Sequence, residues 1–481
     1  MSIPQVAVIG GGIAGLTCAH RLLELESTHG RPVEILIFEA GPKLGGVIET
    51  EMREGFILEK GPDSFISEKP ACLELCKRLG LESEIINTNF ENRRSFVVRH
   101  QKLLPMPEGF YLIAPTRLKT FLETPIFSLS GKMRMLLETL VPKNKNGNDE
   151  SVGQFIRRRF GKEALERVGQ AMLAGIYTGS PEVLSLAATM PRFKEWEQKY
   201  GSVTKGLLAE AKKEKEVLGQ ASGPRYSLFL SFRNGMETLT QALTARIPEQ
   251  SVKPNSPVKE VFQEAPDKKW KIVMASGQIR VADAVCLALP AAQSALLLKN
   301  GAKLLSDKLG GISYESVATL NLAYRREAVG HALEGFGFVV PRIEKSSLIA
   351  CGFSSQKFIR RAPQGYVLLR VFVGGAFGRS FFEREDKDLL ESALEDLNKF
   401  LNIKEAPVFS VLRRYPNSMA QYGVGHLNLV SEIKKQTEKH KGLFLAGAAF
   451  RGVGIPDCIA DAELQAEQIY RTFFVEGGRL G

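Results

Sequence analysis

Cysteine is scarce and scattered in this sequence. Six residues (Cys18, Cys72, Cys76, Cys286, Cys351 and Cys458) occur in 481, with no C-x-x-C pair, so neither a disulfide framework nor a zinc ribbon is expected. The six histidines fall in no ligand-spaced group, and no metal is expected. No run of 18 apolar residues occurs, which argues against a membrane-spanning helix. No signal-peptide pattern precedes the first apolar run, so a reducing, cytoplasmic location is the expectation. Internal repeats, low-complexity tracts, a nucleophile–base triad and an obvious acid–base pair are all missing. The chain is nonetheless basic, with a net charge of +11. Helix-turn-helix, zinc-finger and RNA-sheet signatures do not accompany that charge, so nucleic acid is not implied. The run Arg157-Arg158-Arg159 reads as solvated helix surface.

What the chain does have begins at once. Val6 to Ile9 is an unbroken apolar run, as expected of a parallel strand buried on both faces. Gly10, Gly12 and Gly15 follow at G-x-G-x-x-G spacing, and Ile13-Ala14 open an amphipathic helix reaching to Leu25. Such a turn brings a pyrophosphate to the backbone and to the positive end of the helix dipole. Val33 to Phe38 reads as a second strand ending in Glu39, which can accept the ribose hydroxyls of an adenosine. Glu39-Ala40-Gly41-Pro42-Lys43-Leu44-Gly45-Gly46 then adds a glycine pair, an extension that resembles FAD-binding oxidases of the amine-oxidase type. Those proteins usually carry Arg where this chain has Lys43.

The remaining pattern is that of an α/β protein with more than one domain. Helices broken by Pro and Gly run from Leu103 to about Ser222. Within them Phe110 to Ile113, Leu118 to Phe127 and Met133 to Leu140 are apolar, with Lys119, Lys132 and Arg134 interspersed. That mix suits either a membrane-surface face or a helical subdomain with its apolar sides turned inward. Strands are predicted at Pro257 to Phe262, Trp270 to Met274 and Ala284 to Leu289, and strand-like alternation dominates from Ser313 to about Ser410. Gly442 to Gly447 reads as a last buried strand, with a closing helix from Ile459 to Phe474. The predicted division is a discontinuous Rossmann-like nucleotide-binding domain (1–88, 223–300 and 411–481), a mixed-sheet substrate domain (89–102 and 301–410) and a helical insertion (103–222), the last facing a membrane in one of its two readings.

Taken together, these pieces are similar to the oxygen-dependent protoporphyrinogen oxidase family, including its bacterial branch acting on coproporphyrinogen. The matching motifs are the fingerprint through Gly46, Gly61-Pro62-Asp63-Ser64-Phe65, Ala174 to Pro181, Gly335 to Pro341, Phe372-Val373-Gly374-Gly375 and Gly452-Val453-Gly454-Ile455-Pro456-Asp457-Cys458. The resemblance spans essentially the whole chain. It implies a non-covalent FAD and a porphyrinogen aromatised by loss of six electrons in three steps. It also implies molecular oxygen as acceptor with release of hydrogen peroxide, a homodimer-capable fold, membrane docking in some members, and hand-over of product to a ferrochelatase. Protoporphyrinogen IX is the expected substrate, with coproporphyrinogen III as the alternative.

The resemblance also assigns residues. Gly10, Gly12, Ile13, Ala14, Gly15, Glu39, Ala40, Gly45 and Gly46 would bind the ADP half, with Val258 at the adenine. Gly61, Pro62, Asp63, Ser64, Gly447, Gly454, Ile455 and Pro456 would line the rest of the flavin. Arg94 would pair with a propionate, Gly175 would face the reacting pyrroles, and Phe372 and Val339 would sandwich the macrocycle. Two other readings of the fold stand beside it. An amine oxidase or carotenoid desaturase would want, in the first case, an aromatic cage, for which Tyr415 and Tyr422 are the nearby residues. A non-enzymatic binding protein would lack the glycine fingerprint that this chain keeps.

Overall fold

The computed structural model describes residues 3–91, 93–111, 113–144, 147–218, 227–265 and 268–476. Gln5–Ile9 is the central strand of a five-stranded parallel sheet, whose order is Val252–Lys253, Glu34–Phe38, Gln5–Ile9, Ala284–Leu287, Leu443–Leu445. Its strands come from three distant parts of the chain, as the discontinuous nucleotide domain requires. The helix Ile13–His29 packs through Leu16, Cys18, Ala19 and Leu22 against this sheet and against the closing helix Ile455–Arg471. At Gly15 a Cβ would come within 1.9 Å of the Gly10 carbonyl oxygen, so only glycine lets helix and turn approach so closely.

The second body is a seven-stranded sheet in the order Phe409–Ala420, Tyr314–Arg325, Tyr366–Gly374, Leu348–Phe353, Gly337–Val339, Phe96–Arg99, Lys102–Pro105. All its pairings are antiparallel except Gly337–Val339 with Phe96–Arg99. One face is apolar except at the edge strand, where Ser410 and Arg414 lie, and is covered by the helix Asp386–Leu401 through Leu389, Ala393, Leu397 and Leu401. The other face, which carries Val97, Val339, Phe372, Arg370, Asn321 and Thr319 in register, looks toward the nucleotide and helical domains.

Three predicted boundaries move. Phe409–Ala420 pairs with Tyr314–Arg325, so the chain returns to the nucleotide domain after Ala420 and not at 411. As a half-buried edge strand with Arg413, Arg414, Asn417 and Ser418, it lacks a clean two-residue alternation. Lys303–Gly310 buries Leu305 and Leu309 with Trp270, Ile272 and Leu443, which places it on the nucleotide side of the predicted break at 301. The strand after the 89–102 segment continues to Pro105. The break at 222–223 lies outside the described residues. The closing helix begins at Ile455, not Ile459, because Pro456 suits a first helical turn where no N–H is needed.

Arg157-Arg158-Arg159 is only partly the solvated run expected. Successive helical residues rotate by about 100°, so one of three points inward. Arg159 is fully buried, bonded to Glu138 and, at 2.9 Å, to Glu197. Burial raises the Glu138 carboxyl, but Ser202, Arg159 and the Val203 N–H hold it below its ordinary value. Glu138→Ala leaves the buried Arg159 guanidinium with only one of its two carboxylates and the buried Ser202 hydroxyl without its acceptor, and is expected to cost about 3–5 kcal/mol. A falling urea midpoint at unchanged slope checks this; an unchanged midpoint contradicts it.

Candidate functional site

The first half of the site forms where strands end and helices begin. Glu39, at the end of Glu34–Phe38, accepts the Gly11 N–H at 2.8 Å through one carboxylate oxygen and the Gly41 N–H at 2.7 Å through the other. Gly45 N–H bonds the Gly11 carbonyl at 2.9 Å, which lays the two glycine motifs side by side. A Cβ on Gly12 would meet only the Gly46 Cα, at 3.9 Å, so the space in front of this turn is open. The helix starting at Ile13-Ala14 has no side-chain cap and leaves its first N–H groups free for an anion. Asn255 and Ser256 bond the Gly41 and Glu39 carbonyls, and the adjoining Val258 packs in the core with Phe38, two residues before Ala40.

Lys43 does not join this cradle. Its ammonium stands 3.6 Å from both Glu49 and Glu237 and is over half exposed. It therefore works as a surface ion pair.

The second half is the turn after the last strand. Gly447 N–H donates to buried Asp461 at 3.0 Å, and Arg451 pairs with the other oxygen of that carboxylate at 3.0 Å. Burial pushes Asp461 up to about 6. Gly454 caps the helix of Ile455 and Pro456 without a side-chain acceptor, so a second free helix N-terminus faces the site. Lys69 bridges to Asp457 in its first turn at 2.7 Å. These open glycine turns, the twin uncapped helix starts and the acceptor pair of Glu39 fit a dinucleotide whose far end is a flavin ring.

Gly61, Pro62, Asp63 and Ser64 follow the strand Phe56–Glu59. The Asp63 carboxylate is gripped by Lys357, whose ammonium lies 3.1 Å from both oxygens and from Ser64 Oγ. Burial would raise that carboxyl, yet Lys357 and Arg370 hold it well below the usual carboxylate range. Sequence reasoning missed Lys357, which stands in the short helix Ser354–Lys357, far away in the chain.

Of the four residues assigned to the macrocycle, the structure draws three to one side of the sheet. Gly175, exposed near the end of the helix Gln170–Tyr177, looks across at Val339, whose Cγ1 would be 3.9 Å from an added Cβ. Phe372 lies in the same cross-strand row through Ala350 and, unlike its buried neighbours Val371 and Val373, stays half-buried. Arg94 is apart from them. Its carbonyl accepts the Phe336 N–H at 2.7 Å, three residues, roughly 10 Å, along the strand from Val339. Its side chain is exposed and pairs with no described carboxylate.

The tyrosines that a cage would need are occupied otherwise. Tyr422 is buried, donates to the Ala448 carbonyl at 2.7 Å and stacks on His426 at 4.0 Å between ring centroids. Tyr415 is half-buried beside Arg413. Among the described residues no group of His, Cys, Asp and Glu could hold a metal.

With this geometry in place, comparison with known proteins gives a consistent result. The profile of the flavin-containing amine oxidoreductases matches residues 13–470. The chain is 33% identical to the coproporphyrinogen III oxidase of Bacillus subtilis, over 95% of each chain. It is 27% identical to the mitochondrial protoporphyrinogen oxidase of Nicotiana tabacum, over 94% of this chain and 92% of the other. A crystal structure of a candidate protoporphyrinogen oxidase from Exiguobacterium sp. 255-15 superposes with a TM-score of 0.84 at 29% identity, covering 98% of this chain and 99% of that one.

Proposed function

We propose that this chain, which belongs to the family of flavin-containing amine oxidoreductases, is an FAD-dependent porphyrinogen oxidase. The observation that carries the reading is the joint presence of an intact dinucleotide cradle and a half-exposed aromatic, Phe372, in the cross-strand row of Val339, the residue that Gly175 looks across at. A flat apolar macrocycle needs such a slot. When bound, FAD would supply two-electron redox chemistry, with molecular oxygen as the terminal acceptor. The chain's own part is to hold the ribose at Glu39, offer two helix N-termini to anionic portions of the cofactor, and keep water from the slot.

Identities of 33% and 32% to two bacterial coproporphyrinogen III oxidases, with a third at 29%, against 27–30% to plant protoporphyrinogen oxidases, favour the four-propionate substrate by a narrow margin. The net charge of +11 suits the more anionic molecule. Assayed side by side, coproporphyrinogen III should give the higher kcat/KM; a clear preference for protoporphyrinogen IX would reverse the choice.

FAD is held without a covalent bond. Cys458, beside the ring motif, is buried and its thiol is pushed up to about 12 by burial, which disfavours the thiolate that a thioether linkage would need. Acid precipitation should release all the yellow colour into the supernatant; a yellow pellet would contradict this.

The helical insertion supports peripheral membrane contact of a cytoplasmic enzyme. Leu129, Met133 and Leu137 recur every four residues and are 82%, 60% and 47% exposed, with Leu118, Leu122 and Leu140 also open to solvent. Phe121, Ile126, Phe127 and Met135 of the same stretch are turned inward. Among the described residues no helix is long and apolar enough to cross a membrane. A homodimer and hand-over of porphyrin to a ferrochelatase complete the reading as the family resemblance suggests it.

A further inference from the structure

The inner face of the large sheet carries three polar side chains in strands that are otherwise apolar. Thr319 and Asn321 stand in the buried run Val317 to Tyr324, and Arg370 in the run Val367 to Val373. All three are almost fully buried. They grip successive carbonyls of one segment of the nucleotide domain. Asn321 Nδ2 donates to the Glu59 carbonyl at 3.1 Å, Thr319 Oγ1 to that of Lys60 at 3.1 Å, and Arg370 to those of Lys60 and Gly61. The segment they fasten runs directly into Pro62, Asp63 and Ser64.

Arg370 does more than close this seam. Its guanidinium carbon lies 4.8 Å from the centre of the Phe372 ring, and its Nη1 is 4.0 Å from Asp63. Asn321 and Arg370 face each other across the strands, as do Thr319 and Phe372. Neither Arg370 Nε nor Asn321 Oδ1 has a hydrogen-bond partner among the described residues. A buried cation with an unmet donor is costly as a stabilising device. Its hydrogen bonds to the Lys60 and Gly61 carbonyls serve the seam, but they do not account for a guanidinium set against the Phe372 ring.

We infer that Arg370 is a positioning residue that fixes the Phe372 ring relative to the Gly61–Ser64 turn, and so sets the width of the substrate slot. Resting on the porphyrinogen reading of that slot, it adds a residue outside every matched motif. Arg370 touches neither substrate nor cofactor in this role. It acts through Phe372, held from behind by the cation–π contact, and through Gly61, whose carbonyl accepts from Nη2. A lysine could keep the charge but could not serve both at once.

The test is a double-mutant cycle on the holoenzyme with Arg370→Met and Phe372→Ala, read as KM and kcat for a porphyrinogen. Arg370→Met should raise KM roughly tenfold to a hundredfold while kcat changes little, since a displaced platform spoils binding geometry. In the Phe372→Ala background the same change should add almost nothing. Arg370→Lys should restore only part of the loss. Should Arg370→Met fail to fold, Thr319→Val, which loosens the same seam with a near-isosteric side chain, should show a smaller rise in KM. A wild-type KM in a folded Arg370→Met enzyme overturns the inference, and so do fully additive effects of the two substitutions. A wild-type chain that oxidises no porphyrinogen overturns the functional reading itself, and this inference with it.

Discussion

Glu39→Ala is expected to yield a folded protein that purifies nearly free of flavin. Each oxygen of the Glu39 carboxylate already accepts one backbone N–H, from Gly11 and from Gly41. An ionised carboxylate offers about four lone-pair sites, so one acceptor position per oxygen remains for a ribose hydroxyl. Hydrogen bonds to a charged group contribute about 1.5–3 kcal/mol each, and two of them, less partial hydration, about 2–4 kcal/mol. At about 1.4 kcal/mol per decade, the FAD dissociation constant should rise roughly 30- to 700-fold. Glu39→Gln should fall between the two, because its amide keeps one acceptor oxygen but turns an NH2 toward a backbone donor. Titrating FAD into the apoprotein and following flavin fluorescence checks the series, with far-ultraviolet circular dichroism as control for folding. Full occupancy of the alanine variant would show that Glu39 only braces the Gly11 and Gly41 turns.

Gly175→Leu is expected to leave flavin binding intact and to close the slot. An added Cβ meets no protein atom nearer than Val339 Cγ1 at 3.9 Å, so the substitution creates no internal clash. The position is helical, where exchange of glycine for leucine should stabilise by about 0.5–1 kcal/mol. The new side chain would instead project between Gly175 and the Val339–Phe372 row, where the macrocycle is proposed to lie. Overpacking of this kind costs about 1–3 kcal/mol, or roughly 5- to 150-fold in kcat/KM. Gly175→Ala should lose much less. Wild-type kcat/KM in Gly175→Leu would remove this face of the slot from the account.

Much of the nucleotide half was legible in the sequence because its physics is local. A strand, a glycine turn and a helix start within a dozen residues of one another, and Glu39 follows at the end of the next strand. The strand Trp270 to Met274 was legible for the same reason, since a half-buried strand alternates apolar and polar residues. Long-range partners were not. Nothing near Asp63 announces Lys357, and the three carbonyl-gripping residues Thr319, Asn321 and Arg370 become a group only once two strands pair. Their one sequence signal is a polar residue in the middle of an apolar strand. Arg159 was misread because charge is a poor guide to exposure when two carboxylates 20 to 40 residues away, Glu138 and Glu197, are brought around it. The edge strand Phe409–Ala420 was cut short because strand ends rich in Arg, Asn and Ser resemble loops.

The central claim is that this chain binds FAD and uses it to oxidise a porphyrinogen. Anaerobic titration of the yellow holoenzyme with coproporphyrinogen III tests it most directly, because substrate oxidation and cofactor reduction are read in one cuvette. With enzyme in excess, the oxidised-flavin absorption should bleach while porphyrin fluorescence appears, about three equivalents of flavin lost per porphyrin formed as six electrons leave in pairs. Admitting oxygen should restore the yellow band. A flavin that stays oxidised with both coproporphyrinogen III and protoporphyrinogen IX, yet bleaches with an amine, would contradict the account.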